Sequence, residues 1–155
     1  MARHLSEADD ARRPLSLMYV EDSEDDQIVF KRAGQTAGLS LTWRVAASAP
    51  EAIEYFRELI DQGRKGRVDW PGLVIVDKTL PGEDGFEVVR FVRGCPEMRR
   101  VPVVMLSGCV SSADQENSTI SGAAGFMVKP CGFEETIGLI KQLHTLAEDF
   151  AKLNR

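Results

Sequence analysis

Short apolar stretches and amphipathic segments alternate along this chain. The apolar stretches are rich in β-branched residues and are bounded by glycine, proline or charged residues, which is typical of buried strands. They cover residues 15–20, 41–46, 73–76, 101–106 and 126–128. The segments between them place apolar residues at helical spacing. Because strands and helices alternate five times, the pattern predicts an α/β fold with one parallel sheet, helices on both of its faces and right-handed crossovers.

Capping residues mark where the helices begin and end. Ser23 is the expected N-cap of the first helix, and the acidic residues that follow it complement the helix dipole. Gly38 is expected to end this helix, Ser48 to begin the second and Gly63 to end it. Further helices are predicted over about 85–93, 111–121 and 133–153. The third of these segments is the longest, and the second is weakly patterned and polar, so it fits either a movable element or an ordinary surface helix.

The bulk properties of the chain exclude several classes of protein. Its 155 residues suit one domain, and a net charge of -5 argues against nucleic acid as the main partner. No apolar stretch approaches the roughly 18 residues of a membrane span. Residues 1–13 are expected to be a disordered leader, and 14–155 a single domain with an extended last helix. The cysteines lack CxxC spacing, which favours reduced thiols and a cytoplasmic location.

Polar groups follow four of the predicted strands at their carboxyl ends. Glu21 and Asp22 follow the first strand, and Asp77 follows the third. Ser107 follows the fourth strand, and Lys129 follows the fifth. In an open parallel sheet these strand ends share one edge, where ligands bind. We therefore expect the five side chains to meet in space although they are far apart in the sequence.

The expected cluster has the chemistry of a metal-assisted phosphoryl acceptor. Three carboxylates at close range repel each other unless a divalent cation offsets their charge. Oxygen ligands without histidine or cysteine favour Mg²⁺ over zinc. Asp77 beside Mg²⁺ and Lys129 is suited to attack phosphorus, and Ser107 is suited to donate a hydrogen bond to a phosphoryl oxygen.

The order and spacing of these residues resemble the receiver domain of two-component response regulators over about residues 15–150. The resemblance is carried by the segments 19–23, 76–85, 104–108 and 124–130. It implies a flavodoxin-like fold, which is a doubly wound five-stranded parallel sheet of order 2-1-3-4-5. It also implies a phosphoprotein that signals in a two-component phosphorelay.

The resemblance implies a role for each residue of the cluster. Asp77 matches the phosphoacceptor and Lys129 the lysine that assists it. Asp22 matches the direct metal ligand, and Glu21 matches its mostly water-mediated neighbour. The backbone carbonyl of Thr79 matches a further metal ligand. Mg²⁺ is then the implied cofactor.

The resemblance also implies a switch. Ser107 matches the switch hydroxyl, which turns toward the phosphoryl group, and Phe126 matches the aromatic residue that follows it. The signal would then pass to the face made by the fourth helix, the fifth strand and the fifth helix. The peptide bond from Lys129 to Pro130 would be cis.

The chain departs from the family pattern beside the phosphoacceptor. Lys78 stands where apolar residues are more usual. Thr79 and Cys109 occupy two variable positions that tune phosphate lifetime in such families, and neither offers an amide or carboxylate to orient water. We therefore expect slow self-dephosphorylation.

The expected function is that of a stand-alone receiver, because nothing in the sequence follows Arg155. It would accept phosphate from a sensor histidine kinase or a phosphotransfer protein, and it would catalyse only its own phosphorylation and dephosphorylation. The long second loop and the extended last helix resemble the small regulators partnered with bacterial phytochromes. No nucleic acid or membrane partner is expected.

The last helix carries an apolar stripe at seam-like spacing. Its members are Leu139, Leu143, Leu146, Phe150 and Leu153. The stripe fits a homodimer or kinase contact, with Ile137 and Ile140 facing the core, or it packs on its own sheet. Both interpretations remain open from the sequence.

Two other classes of protein use parts of the same pattern. A haloacid-dehalogenase-type phosphatase also places an aspartate at a strand end, but Thr79 stands where its second aspartate belongs. A pseudo-receiver binds a partner without phosphorylation, but it would lack the acceptor, a metal acid or the lysine. This chain has all three.

Overall fold

The computed structural model describes residues 13–80, 83–108 and 111–153, without the side chains of residues 79, 83, 114 and 117–120. The predicted leader lies outside these ranges except for Arg13, and Cys109 also lies outside them. The main chain of Thr79 is described, but its side chain is not.

One five-stranded parallel sheet forms the centre of the molecule. Its strands are β1 (Leu15–Val20), β2 (Leu41–Ala46), β3 (Leu73–Asp77), β4 (Val103–Ser107) and β5 (Gly125–Val128). They lie in the order β2-β1-β3-β4-β5, and every neighbouring pair is parallel. The predicted sheet and its strand order are therefore confirmed. Polar groups at the carboxyl ends of these strands share one edge of the sheet.

The helices cover both faces of the sheet, as the sequence predicts for a doubly wound fold. They are α1 (Glu24–Thr36), α2 (Ala49–Lys65), α3 (Phe86–Gly94), α4 (Ser112–Ser121) and α5 (Phe133–Leu153). A 3₁₀ turn (Pro96–Met98) follows α3. Between β3 and α3, where the sequence predicts only a loop, Thr79–Leu80 pairs with Glu83–Asp84 in a short antiparallel ladder.

Alternate side chains of the sheet divide the core in two. Tyr19 and its neighbours on one face pack against α1 and α5, and the Tyr19 ring stacks on Phe30 with 4.7 Å between the centroids. Met18 and Val20 face the other way, toward α2 and α3. The inner strands β3 and β4 are buried along their whole length, because helices cover both faces of this part of the sheet.

Gly38 and Gly63 show two uses of glycine near a helix end. Gly38 adopts a φ of 71°, which favours glycine, just beyond α1 as predicted. The prediction that Gly63 ends α2 is wrong, because the helix continues to Lys65. A Cβ atom at Gly63 would lie 3.1 Å from the Trp70 ring, so this glycine makes room for the indole instead.

The peptide bond from Lys129 to Pro130 is not cis, although the resemblance implies a cis bond there. No cis peptide occurs in the ranges that the structure describes, which include this bond, so it is trans. The trans isomer is the lower-energy form of an X–Pro bond.

The apolar stripe of α5 packs mainly on its own sheet. Leu139 and Leu143 are buried in the core, and Leu146 packs against it. Ile140 is buried beside them, as predicted, whereas Leu153 is 81% exposed. A seam that uses the whole stripe is therefore wrong, because its first half already contacts β-strand side chains. Among the described residues, no helix combines the length and apolar character needed to cross a bilayer.

Candidate functional site

The end of β1 places a glutamate inside the protein. The Glu21 amide donates to the carbonyl oxygen of Ala46 at 2.9 Å, which continues the pairing of β1 with β2. Its side chain is only 1% exposed. Oε1 accepts a hydrogen bond from the Ser23 amide at 3.1 Å, and the Tyr19 hydroxyl lies 3.4 Å from Oε2. These donors fix the Glu21 carboxylate and lower the cost of its burial.

The end of β3 places Asp77 in a tight space. The next amide, that of Lys78, donates to Leu106 at 2.8 Å and ties the strand end to β4. The chain then returns over Asp77, and a Cβ atom at Gly85 would lie 2.4 Å from the Asp77 carbonyl oxygen. Only glycine allows this approach, because the clashing atom belongs to the backbone. The position of Asp77 is thus fixed from both sides.

The end of β5 brings Lys129 to the same place. Its amide donates to the Ser107 carbonyl oxygen at 2.7 Å, so the β4–β5 pairing sets where the side chain begins. The Lys129 Nζ atom lies 2.7 Å from Oε2 of Glu21 and 3.4 Å from Oδ2 of Asp77. It also lies 2.7 Å from Oδ2 of Asp26, in the first turn of α1.

The structure brings three carboxylates together at this edge of the sheet. Oxygen atoms of Glu21, Asp22 and Asp77 all lie within 4.8 Å of one another. Glu21 and Asp77 are buried, whereas Asp22 is exposed. One ammonium group cannot balance this many close carboxylates, and an all-oxygen set suits a hard divalent cation that keeps part of its water. The donor set therefore fits a divalent metal ion.

Burial and neighbouring charges change the protonation of the groups around Lys129. Burial raises the pKa of Glu21 to about 7; the hydrogen bond from Lys129 opposes this rise, and the charge of Asp77 adds to it. Burial alone would lower the pKa of Lys129, but its hydrogen bonds to Asp26 and Glu21 and the charge of Asp77 raise it above its ordinary value. Burial raises the pKa of Tyr19, so its phenol stays neutral and serves as a donor. Lys129 is therefore a permanent cation in this site.

The two residues predicted to form the switch lie in the neighbouring strands β4 and β5. Ser107 ends β4 and is 6% exposed. Phe126 lies in β5, is half-buried, and packs against the core beside α3. Its ring stacks with that of Phe86 at a centroid distance of 6.4 Å. Ser107 thus occupies the strand end nearest to Lys129, and the aromatic residue lies on the side that α3 and α4 cover.

Sequence reasoning missed one member of the site. Asp26 was expected only to complement the dipole of α1, yet it forms one of the two shortest contacts of Lys129. In the sequence, Asp26 is distinguished only by its position in the first turn of α1. An acidic residue there is already explained by its interaction with the helix dipole. Pairing with a lysine from β5 depends on the tertiary fold.

Comparison with known proteins identifies the family. The model of the response regulator receiver domain matches residues 17–141. Because this match covers most of the chain, the protein belongs to the family of response regulator receiver domains. Such domains are signalling domains of two-component systems and not enzymes in the usual sense.

Individual relatives agree with this assignment. The polar-differentiation response regulator DivK of Brucella anthropi is 28% identical over 130 residues, which are 83% of this chain and 94% of DivK. The structure of the Mn²⁺-bound form of response regulator Rcp1 matches with a TM-score of 0.70 at 20% sequence identity. The match covers 85% of this chain and 93% of the Rcp1 chain. The structure of the phosphorylated cyanobacterial phytochrome response regulator RcpA matches with a TM-score of 0.71 at 23% sequence identity. This match covers 84% of this chain and 91% of the RcpA chain. At these identities the two structures share the fold.

Proposed function

We propose that this receiver domain accepts a phosphoryl group on Asp77 from a histidine kinase or a phosphotransfer protein in the cytoplasm. One observation carries the proposal. The Asp77 carboxylate lies in a cluster with two other carboxylates, and the Lys129 ammonium is 3.4 Å from its Oδ2 atom. A phosphorylation-independent pseudo-receiver would not need this convergence of an acceptor, metal acids and a lysine.

The chemical step is a transfer between two nucleophiles. An oxygen of the Asp77 carboxylate attacks the phosphorus of a phosphohistidine. The new P–O bond forms as the P–N bond breaks, and the imidazole leaves with the bonding electron pair. Lys129 lies beside the acceptor oxygen and offsets charge on the transferring group. Hydrolysis later returns the Asp77 carboxylate and releases inorganic phosphate.

We propose Mg²⁺ as the metal ion of this site. Glu21, Asp22, Asp77 and the carbonyl oxygen of Thr79 would hold it, Glu21 mostly through water. When bound, Mg²⁺ would neutralise charge on the phosphoryl oxygens. The all-oxygen set of carboxylates within 4.8 Å supports a small, hard cation of this kind.

The output is proposed to be a change of protein binding. A phosphoryl group adds close to two negative charges and three acceptor oxygens beside Ser107. The Ser107 hydroxyl would donate to one of them, and Phe126 would move into the space that it leaves. A nearly complete shift between two states needs about 5.5 kcal/mol. A few charge-assisted hydrogen bonds, each about 1.5–3 kcal/mol, supply this amount.

The surface proposed to change consists of α4, β5 and α5. It includes Val128, which is 57% exposed at the end of β5. A bacteriophytochrome kinase is the proposed partner, on the basis of the likeness to RcpA. A homodimer through α5 would have to use its exposed C-terminal end, because Leu139 and Leu143 are buried.

Intact-mass measurement tests the proposed function. The protein is incubated with a small phosphodonor, such as acetyl phosphate, with and without Mg²⁺. We expect a gain of about 80 Da, one phosphoryl group, only when Mg²⁺ is present. The gain should be lost in Asp77→Asn and kept in Asp61→Asn, a matched change at an exposed position of α2. A gain that survives in Asp77→Asn would overturn the assignment of the acceptor.

A further inference from the structure

Lys129 is shared unequally among three carboxylates. An ammonium group has three N–H donors, and its neighbours here are Glu21, Asp26 and Asp77. The distances to Glu21 and Asp26 are both 2.7 Å, whereas the distance to Asp77 is 3.4 Å. A charge-assisted N–H···O bond is normally about 2.7–2.9 Å long, so the contact with Asp77 is the weak one. The ammonium is therefore held toward Asp26 and Glu21.

Asp26 differs from the other two partners of Lys129. Glu21 and Asp77 belong to the carboxylate cluster that fits a metal ion, but Asp26 does not. It lies in the first turn of α1, and its amide is held by the Ser23 hydroxyl at 3.3 Å, so its main chain is fixed. Its side chain is 42% exposed and has no other hydrogen bond among the described contacts that name it. Lys129 is thus the group that the Asp26 carboxylate holds.

We propose that Asp26 is a positioning residue that holds Lys129 back from Asp77 and competes with the phosphoryl group for its ammonium. This inference rests on the proposed function. In the unphosphorylated protein the bond to Asp26 keeps the lysine at its long distance from the acceptor. A phosphoryl group on Asp77, or the phosphate of an incoming donor, must draw the ammonium away from Asp26. Asp26 therefore sets how readily the site takes up phosphate.

The test compares neighbouring aspartates of α1. Asp26→Asn removes the competing charge, and Asp25→Asn removes the same charge from an exposed position in the same helical turn. Phosphorylation by acetyl phosphate is measured at saturating Mg²⁺, because a freed Lys129 would otherwise compete for the metal carboxylates. We expect Asp26→Asn to lower the half-saturating donor concentration about two- to fivefold, the range that a part-exposed ion pair supports. Asp25→Asn should not change it.

A second readout does not depend on turnover. Beryllium fluoride with Mg²⁺ mimics the phosphoryl group, and its binding is followed by fluorine NMR. Asp26→Asn should bind it more tightly by a similar factor, whereas Asp26→Glu, which keeps the carboxylate, should stay near the wild type. Equal binding and equal half-saturation in Asp26→Asn and Asp25→Asn would overturn this inference alone. Wild-type protein that takes up no phosphoryl group would overturn the proposed function, and this inference with it.

Discussion

The helices α1 and α4 each follow the carboxyl end of a strand, but they differ in the apolar side chains that they offer to the core. α1 buries Phe30 and Ala33 in the core. The hydroxyl of its N-cap Ser23 accepts a hydrogen bond from the Asp26 amide. The sequence of α4 contains two apolar residues, Ala113 and Ile120, and of its described side chains those of Gln115 and Glu116 are exposed. Free energies of local opening follow buried apolar contacts, so α4 should open more easily than α1.

This difference separates two tasks within one domain. Glu21, one of the acids proposed to hold a cation, lies just before α1, and Asp26, which contacts Lys129, lies in its first turn. The residues predicted to respond, Ser107 and Phe126, lie toward α4. A switch needs a rigid binding site beside an element that moves easily. The group that binds must meet a fixed geometry, and its binding must also change the position of another element.

The largest expected effect is on stability, and it is found by comparing an aromatic residue of α1 with one of β5, the strand beside α4. Phe30 is 2% exposed and stacks on Tyr19, whereas Phe126 is half-buried and its ring lies 6.4 Å from that of Phe86. Phe30→Ala should lower the free energy of unfolding by about 3–5 kcal/mol, and Phe126→Ala by about half of that. Urea denaturation measures both. Equal losses would show that the two sides are packed equally well.

A smaller effect is expected from two glycines at the ends of α3. A Cβ atom at Gly85 would meet the Asp77 carbonyl oxygen, whereas nothing lies within 4 Å of one at Gly94. Gly85→Ala should cost about 1–3 kcal/mol, because backbone must move, and it should weaken metal binding. Gly94→Ala should be neutral or stabilise by up to about 1 kcal/mol. Thermal unfolding with and without Mg²⁺ distinguishes them, and an unchanged Gly85→Ala would contradict the close approach.

The smallest effect is stabilisation by the metal itself. A ligand at about five times its Kd stabilises the folded state by about 1 kcal/mol. Mg²⁺ should therefore raise the melting temperature of the wild type and of Glu24→Gln, an exposed change in α1. It should not raise that of Asp22→Asn, because the exposed Asp22 belongs to the carboxylate cluster. If Mg²⁺ raised the melting temperature equally in Asp22→Asn and Glu24→Gln, Asp22 would not be a ligand of the metal ion.

The sheet could be predicted from sequence because its signals are local. The apolar stretch of β1 ends at Val20, as predicted, and its last four residues are buried because the sheet is covered on both faces there. The edge strand β2 ends at Ala46, as predicted, although the residues before Ala46 alternate between half-buried and exposed. The polar groups after the strands then follow from topology, because all carboxyl ends of a parallel sheet share one edge. This is why Asp77 and Lys129 could be placed together before their contact was seen.

The prediction that failed, the choice that the sequence left open and the contact that it missed all concern features that depend on distant residues. Gly63 lies within α2, where it leaves space for the ring of Trp70, a residue outside the helix. Leu139 and Leu143 repeat at a spacing that suits a seam and a core equally, and only the fold shows that they are buried. Asp26 gained a role because β5 brings Lys129 to it, and no pattern within α1 contains that information.

Chemical trapping tests the central claim most directly. Borohydride reduces an aspartyl phosphate to homoserine, so treatment of the phosphorylated protein marks the acceptor, and peptide sequencing by mass spectrometry locates the mark. We predict homoserine at position 77, only after incubation with phosphodonor and Mg²⁺. Homoserine at Asp22, Asp26 or any other aspartate, with position 77 unmodified, would contradict the account.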